Sequence, residues 1–215
     1  MGAMAGPREA CGVFGVYAPG EDVARLTFFG LYALQHRGQE SAGIATSDGE
    51  RIYLHRRMGL VSSAFTEEDL RDLRGHIAIG HTRYSTTGSS VPVNAGPFVV
   101  GQAGEAIAVS HNGNLVNDEA LRRELLEAGI ELESTTDTEA LAWTIYRQSG
   151  ESWAERIRRA MERLVGAYSL AILTTDALIA VRDPLGIRPL CLGRLDTGWV
   201  VASETCALAT IGAEF

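Results

Sequence analysis

Cysteine is scarce in this chain of 215 residues: Cys11, Cys191 and Cys206 are the whole set, and no two lie close together. An odd, scattered number excludes a disulfide framework and fits a reducing compartment. The five histidines, His36, His55, His76, His81 and His111, fall in none of the Cys/His or His/Glu spacings of zinc sites, so no metal centre is expected. Long apolar runs are missing as well. Residues 1–10 (MGAMAGPREA) lack the apolar core of a secretory signal, and no stretch approaches the length of a membrane span. Positive charge is in deficit: the formal net charge is −8 with both signs scattered, which sets nucleic acid aside as the main partner. What is left is a cytoplasmic globular protein, long enough for one large domain or at most two small ones.

Regular patterning fills that frame. Residues 12–18 (GVFGVYA) are rich in strand formers and are closed by Pro19-Gly20. A largely buried helix is expected from Asp22, its N-cap, to His36, with Gly38 as its stop. Short strands follow at 42–46 and 51–55 around an Asp48-Gly49 hairpin turn, then a Thr66-capped helix at 66–73 and a strand at 76–81. Residues 82–97 (TRYSTTGSSVPVNAGP) read as a polar loop of a length that is usually functional. A strand at 106–110 precedes helices at 117–128, capped by Asn117, at 137–149 and at 152–165. The chain then returns to strands at 168–174, 177–182, 190–193 and 199–202. This order is not the alternation of a doubly wound fold. Mostly antiparallel sheets packed with helices, an α+β arrangement, fit it better.

Polar and glycine-rich clusters interrupt the scaffold, and each has an ordinary reading. LQHRGQESAG (34–43) is a helix end, a turn and a strand start, with Arg37 as a structural ion-pair residue. GHTRYSTTG (80–88) ends a strand at a rim and presents Arg83, which is either a surface arginine or a fixed cation for a carboxylate. In HNGN (111–114), Asn112-Gly113 is first of all a turn signal, although an Asn amide beside a backbone N–H is also a pair of donors for an oxyanion. Asp137, after Thr135-Thr136, is a helix-capping or first-turn acid. Cys11 opens the first strand, where cysteine commonly serves as a small hydrophobe. Yet only ten residues precede it.

Taken together, CGVFG, LQHRGQESAG, GHTRYSTTG, HNGNLVN, TTDTE and DPLGIRPL, in that order, closely resemble the glutaminase domain of the amidophosphoribosyltransferases. That family belongs to the N-terminal-nucleophile, class II glutamine amidotransferases. The resemblance runs from Cys11 to the last residue. The glutaminase domain of glucosamine-6-phosphate synthase is the nearest competitor, but it usually has tryptophan after the arginine, where this chain has Tyr84. QHRGQE (35–40) and residues 183–190 also side with the purine enzyme.

The resemblance implies a four-layer αββα N-terminal-nucleophile hydrolase fold, two mostly antiparallel sheets between helical layers. It implies removal of residues 1–10 as a leader, leaving 11–215 as the amidotransferase domain. Cys11 would be the nucleophile, and Asn112 with the Gly113 N–H the oxyanion donors. Arg83 and Asp137 would bind the α-carboxylate and α-ammonium of L-glutamine, helped by Tyr84 and Thr86, under a closing loop over 83–94. The second, phosphoribosyltransferase domain, with its pyrophosphate signature, is absent from this sequence. Magnesium and, in some members, an iron–sulfur cluster are expected only with that domain, as is homo-oligomer formation. Cys191 and Cys206 are then core cysteines. The rival expectation is a non-catalytic form: an unprocessed precursor, or a domain that binds glutamine or a partner without turnover.

Overall fold

The computed structural model describes residues 11–84 and 89–215. Among the described residues ten strands form two sheets, and every pairing within them is antiparallel. The larger sheet has the order β3-β2-β4-β1-β10-β9. Its strands are β1 (Gly12–Tyr17), β2 (Ser41–Ser47), β3 (Ile52–Met58), β4 (Ile77–Arg83), β9 (Cys191–Leu195) and β10 (Gly198–Ala202). The smaller sheet runs β5-β6-β7-β8, from Phe98–Val100, Ile107–Leu115, Gly166–Leu173 and Leu178–Arg182.

Strand β1 shows how the layers are built. Its side chains alternate, so Phe14 and Val16 join the core under the helices α1 (Val23–Ala33), α2 (Val61–Ala64), α3 (Glu67–Asp72) and α7 (Thr205–Thr210). Val13 points the other way, into a core shared with Ile79 of β4 and Ala108 and Ala171 of the second sheet. Both faces of the strand are therefore apolar. The outer face of the smaller sheet is covered by α4 (Asp118–Glu127), α5 (Asp137–Tyr146) and α6 (Trp153–Met161), around Leu141, Ile145 and Tyr168. The result is helix, sheet, sheet, helix: the four-layer α+β fold implied by the sequence. Helix α1 lies close on β1 because Gly30 faces the Phe14 ring, where a Cβ would come within 2.3 Å of it.

Cys191 and Cys206 are not core cysteines: the first is half-buried and the second exposed. Three expectations of local structure are corrected as well. Helix α1 ends at Ala33, where the Leu34 N–H is taken by the Gly30 and Leu31 carbonyls, so Gly38 does not stop it. Gly38 instead lets that turn approach the backbone of β4, where a Cβ would sit 2.7 Å from the Thr82 and Arg83 carbonyl carbons. Asn117 precedes α4 without capping it through its side chain, which ties the Arg163 carbonyl and the Val165 N–H instead. The third correction concerns Asn112-Gly113. These residues are not in a turn but inside β6, paired with Ser169 and Tyr168 of β7. Three short elements, β5, α2 and α7, have no counterpart in the sequence reading. Each is too brief to show a period.

Candidate active site

One small cleft between the two sheets is lined by Cys11, His81, Arg83, Tyr84, His111, Gly113 and Asp137, among others. Larger surface depressions lie elsewhere, around Glu21 and Arg194 and around Leu121 and Arg147, and neither holds a cysteine. The register of the sheets explains the gathering. Gly12 pairs with Thr82, so the start of β1 lies beside the end of β4, and the half-buried Cys11 thiol reaches the Tyr84 carbonyl at 3.5 Å. Burial pushes that thiol above its ordinary range, against the opposing pull of the Arg83 charge.

Arg83 is not at an exposed rim. It is 4% exposed, and its Nη1 donates to the Ser89 carbonyl at 3.0 Å and to Glu40 Oε2 at 3.3 Å. On the other side of the cleft, Asp137 is the first residue of α5 and is also buried. Its Oδ2 accepts the Leu115 N–H at 2.9 Å, and His111 Nδ1 lies 3.6 Å from Oδ1. Burial alone would raise this carboxyl, but His111 and the Leu115 N–H outweigh it and hold the group below the usual carboxylate range. The cleft thus has a fixed cation on one wall and a fixed anion on the other.

Strand β6 supplies a backbone donor between them. Both the N–H and the C=O of Tyr168 are engaged by Asp183, so the Gly113–Tyr168 pair is one of the unbonded pairs of the β6–β7 ladder. The backbone groups of His111, Gly113 and Leu115 consequently point away from β7. The His111 carbonyl meets His81 Nε2 at 3.0 Å, and the Leu115 N–H meets Asp137. The Gly113 N–H lies between these two, on a side where β5 reaches only as far along β6 as Val109. Glycine is required there, since a Cβ would fall 2.1 Å from the Ala167 carbonyl oxygen. Asn112 is buried beside it. With its amide turned to satisfy its neighbours, it donates to the Cys11 carbonyl at 3.3 Å and accepts from Arg37 Nη2 at 3.2 Å. Among the expected site residues, Thr86 lies outside the described residues.

A sequence profile of the glutamine amidotransferase domain matches residues 81–210, more than half of the chain. The chain belongs to that family. The amidotransferase domain is 54% identical over 215 residues to the amidophosphoribosyltransferase of Synechococcus elongatus, covering 97% of this chain and 44% of that protein. It is 43% identical to the enzyme of the same name from Drosophila melanogaster, covering 99% of this chain and 44% of that one. The solved glutamine phosphoribosylpyrophosphate amidotransferase of B. subtilis, complexed with ADP and GMP, superposes with a TM-score of 0.88 at 40% identity, over 95% of this chain and 44% of that one. The chain therefore spans less than half the length of the relatives it matches.

Several residues of this amidotransferase domain had no assigned role in the sequence. His81 and His111 belong to the GHTR and SHNG clusters, but a histidine on an apolar strand gives no signal of its own. Asn94, fully buried, ties the far end of the 82–97 loop to Thr135, donating to its Oγ1 at 2.9 Å and accepting from its N–H at 3.0 Å. Arg37 is the ion-pair residue expected, with Glu204 as its partner, and its Nε also donates to the Cys11 carbonyl at 3.1 Å. Among the described residues, no cluster of three or more His, Cys, Asp or Glu side chains is arranged to hold a metal ion, and no helix is long and apolar enough to cross a membrane.

Proposed function

We propose that this domain hydrolyses L-glutamine to glutamate and ammonia through a thioester on Cys11. The observation that carries the reading is the cleft itself: a thiol, a strand N–H, a buried cation and a buried anion converge there. Arg83 takes the α-carboxylate and Asp137 the α-ammonium, so only a free amino acid satisfies both walls. In the mature form Cys11 is the first residue, and its α-amino group, with a pKa of about 7.7–8, serves as the local base that an internal amide nitrogen cannot be. The amine takes the thiol proton as sulfur attacks the side-chain amide carbon. The oxyanion is held by the Asn112 amide and the Gly113 N–H, a donor of this kind being worth about 10²–10³ in rate. The carbon–nitrogen bond breaks as the amine returns its proton, and ammonia leaves. Water then adds to the thioester, its proton passing to the amine and on to sulfur, and glutamate departs.

The names of the relatives support the destination of the ammonia. It aminates phosphoribosyl pyrophosphate to phosphoribosylamine in the first committed step of de novo purine synthesis, on a phosphoribosyltransferase domain or subunit in a homo-oligomeric enzyme. Magnesium and any iron–sulfur cluster belong to that partner. While residues 1–10 remain attached, Cys11 lacks its base and its thiol is pushed up by burial, so the intact chain is an inactive precursor. Intact mass and a glutaminase assay test this on two forms of the chain, one retaining residues 1–10 and one beginning at Cys11. Only the second turns over, and Cys11→Ala abolishes it. Equal rates for the two forms would exclude the terminal-amine mechanism, and an active Cys11→Ala would exclude the nucleophile.

A further inference from the structure

The segment SETCALATIG (203–212) has no place in the reaction above, yet its first two residues lie against β1 and against Arg37, whose Nε reaches the Cys11 carbonyl. Ser203 continues the β1–β10 pairing past its last register pair. Its N–H donates to the Val13 carbonyl and its Oγ accepts the Val13 N–H, both at 2.9 Å. That brackets β1 two residues after Cys11 and sets Glu204 beside Arg37. Glu204 Oε1 accepts from Arg37 Nη1, and its other oxygen lies 3.0 Å from His36 Nε2. Arg37 spends its remaining donors inward, Nε on the Cys11 carbonyl at 3.1 Å and Nη2 on the Asn112 amide oxygen at 3.2 Å. The arginine side chain is 11% exposed, the glutamate 34%.

The geometry points to Glu204 as a positioning residue for glutamine hydrolysis, acting through Arg37 on both the nucleophile and the oxyanion donor. The inference rests on the hydrolase reading above and goes beyond it. A Cys11 that begins the chain has no preceding peptide to hold it, so its carbonyl bonds to Arg37 and Asn112 fix the plane from which the thiol projects. The Asn112 amide has two orientations that differ in which atom faces Cys11. Arg37 offers only donors and therefore selects the one with oxygen toward itself and nitrogen toward the nucleophile. Reversed, the amide would turn a carbonyl oxygen toward the developing oxyanion. A guanidinium can serve three acceptors in one plane, and Glu204 is the acceptor that fixes that plane from outside. Arg83 and Asp137 stand apart from this chain of contacts, so substrate grip and chemistry are separable.

Kinetics of the chain beginning at Cys11 test this. Glu204→Ala is expected to lower kcat about 10- to 100-fold, as small misplacements of reacting groups do, with KM for glutamine within about two-fold. Glu204→Gln, which keeps an acceptor oxygen, recovers most of the loss. Glu204→Ala in an Arg37→Ala background costs nothing further, because the two act as one unit. An unchanged kcat in both Glu204 variants, additive losses, or a fall expressed in KM or in melting temperature alone would overturn the assignment. A crystal structure of Glu204→Ala decides it independently of turnover: Arg37 withdrawn from the Cys11 carbonyl supports the proposal, and Arg37 in place refutes it. An inert parent chain would sink the hydrolase reading alone. Should Glu204→Ala fail to fold, Glu204→Gln and Arg37→Lys take its place, Arg37→Lys showing the full loss because an ammonium cannot fork to three acceptors.

Discussion

Arg83 and Asp137 illustrate how buried charged side chains are partnered. Each has fixed polar partners, Glu40 and Ser89 for the arginine and the Leu115 N–H and His111 for the aspartate. Those contacts leave neither group exposed to water for reorganisation. Arg83→Lys keeps the charge but not the planar fork, and on the proposed reading KM for glutamine rises about 10-fold or more while the rate at saturation changes far less. Steady-state kinetics check it, and an unaltered KM would remove Arg83 from the carboxylate site. His81 is the opposite case, a buried group kept neutral. Burial first, then the His111 ring and Arg83, pull its pKa from 6.5 down to about 4. Its Nε2 donates to the His111 carbonyl, while Nδ1, packed near Gly96, has no acceptor for a second proton. The unfolded chain binds that proton below pH 6.5 and the folded chain does not, so stability is complete above about 6.5 and falls as pH drops toward 4. The loss approaches about 3 kcal/mol and then levels. Urea titrations at about pH 7 and 4.5 should show a smaller difference for His81→Gln than for the parent, and equal differences would contradict this account.

At the scale of elements, β6 decides what the site can do. A nine-residue strand carrying His-Asn-Gly-Asn contradicts local preference, which favours a turn at Asn-Gly. The preference is overridden by pairing with β7 over eight positions and by the closeness of the Ala167 carbonyl, which only a glycine tolerates. Gly113→Ala should therefore lower both stability, by about 1–3 kcal/mol, and turnover, by up to about 10²-fold, since the strand must shift and carry its N–H with it. Chemical denaturation with a glutaminase assay reads both, and a stable, fully active variant would show that the N–H is not used. Elements whose signal is local were legible in the sequence. The Thr66 cap, which the structure completes as a capping box with Asp69, and the Asp48-Gly49 hairpin, with Gly49 at φ +99°, are examples. The helix α1 was legible up to its end, and the cleft-lining residues Cys11, Arg83, Gly113 and Asp137 stood out through their motifs. What was not legible is set by distant contacts: Gly38 pressed on β4, Arg83 buried against Glu40, and Glu204 reaching Arg37 from the far end of the chain.

On the scale of the whole molecule, the cleft belongs to neither sheet alone. Cys11 stands just ahead of β1 and Arg83 ends β4, both on the larger sheet's side, while Asn112 and Gly113 come from the smaller sheet and Asp137 from the helix behind it. A ligand that spans Arg83 and Asp137 ties the two halves together and must stabilise the packed form over the unfolded one by RT ln(1 + [L]/Kd). On the proposed reading, Cys11→Ala removes turnover while leaving both charged walls in place, so glutamine can be held at equilibrium. At about 100 times its Kd, glutamine adds about 2.7 kcal/mol and raises the melting temperature by several degrees. N-acetylglutamine, which has no ammonium for Asp137, should need a concentration higher by about 10²-fold for the same shift. 4-Aminobutanamide, without a carboxylate for Arg83, should behave likewise. In Asp137→Asn the first penalty shrinks and the second remains, since the wall that reads the ammonium has lost its charge. Equal shifts from glutamine and N-acetylglutamine in the parent domain would mean that the amino acid is held by one wall only, and the two-charge account of selectivity would fall.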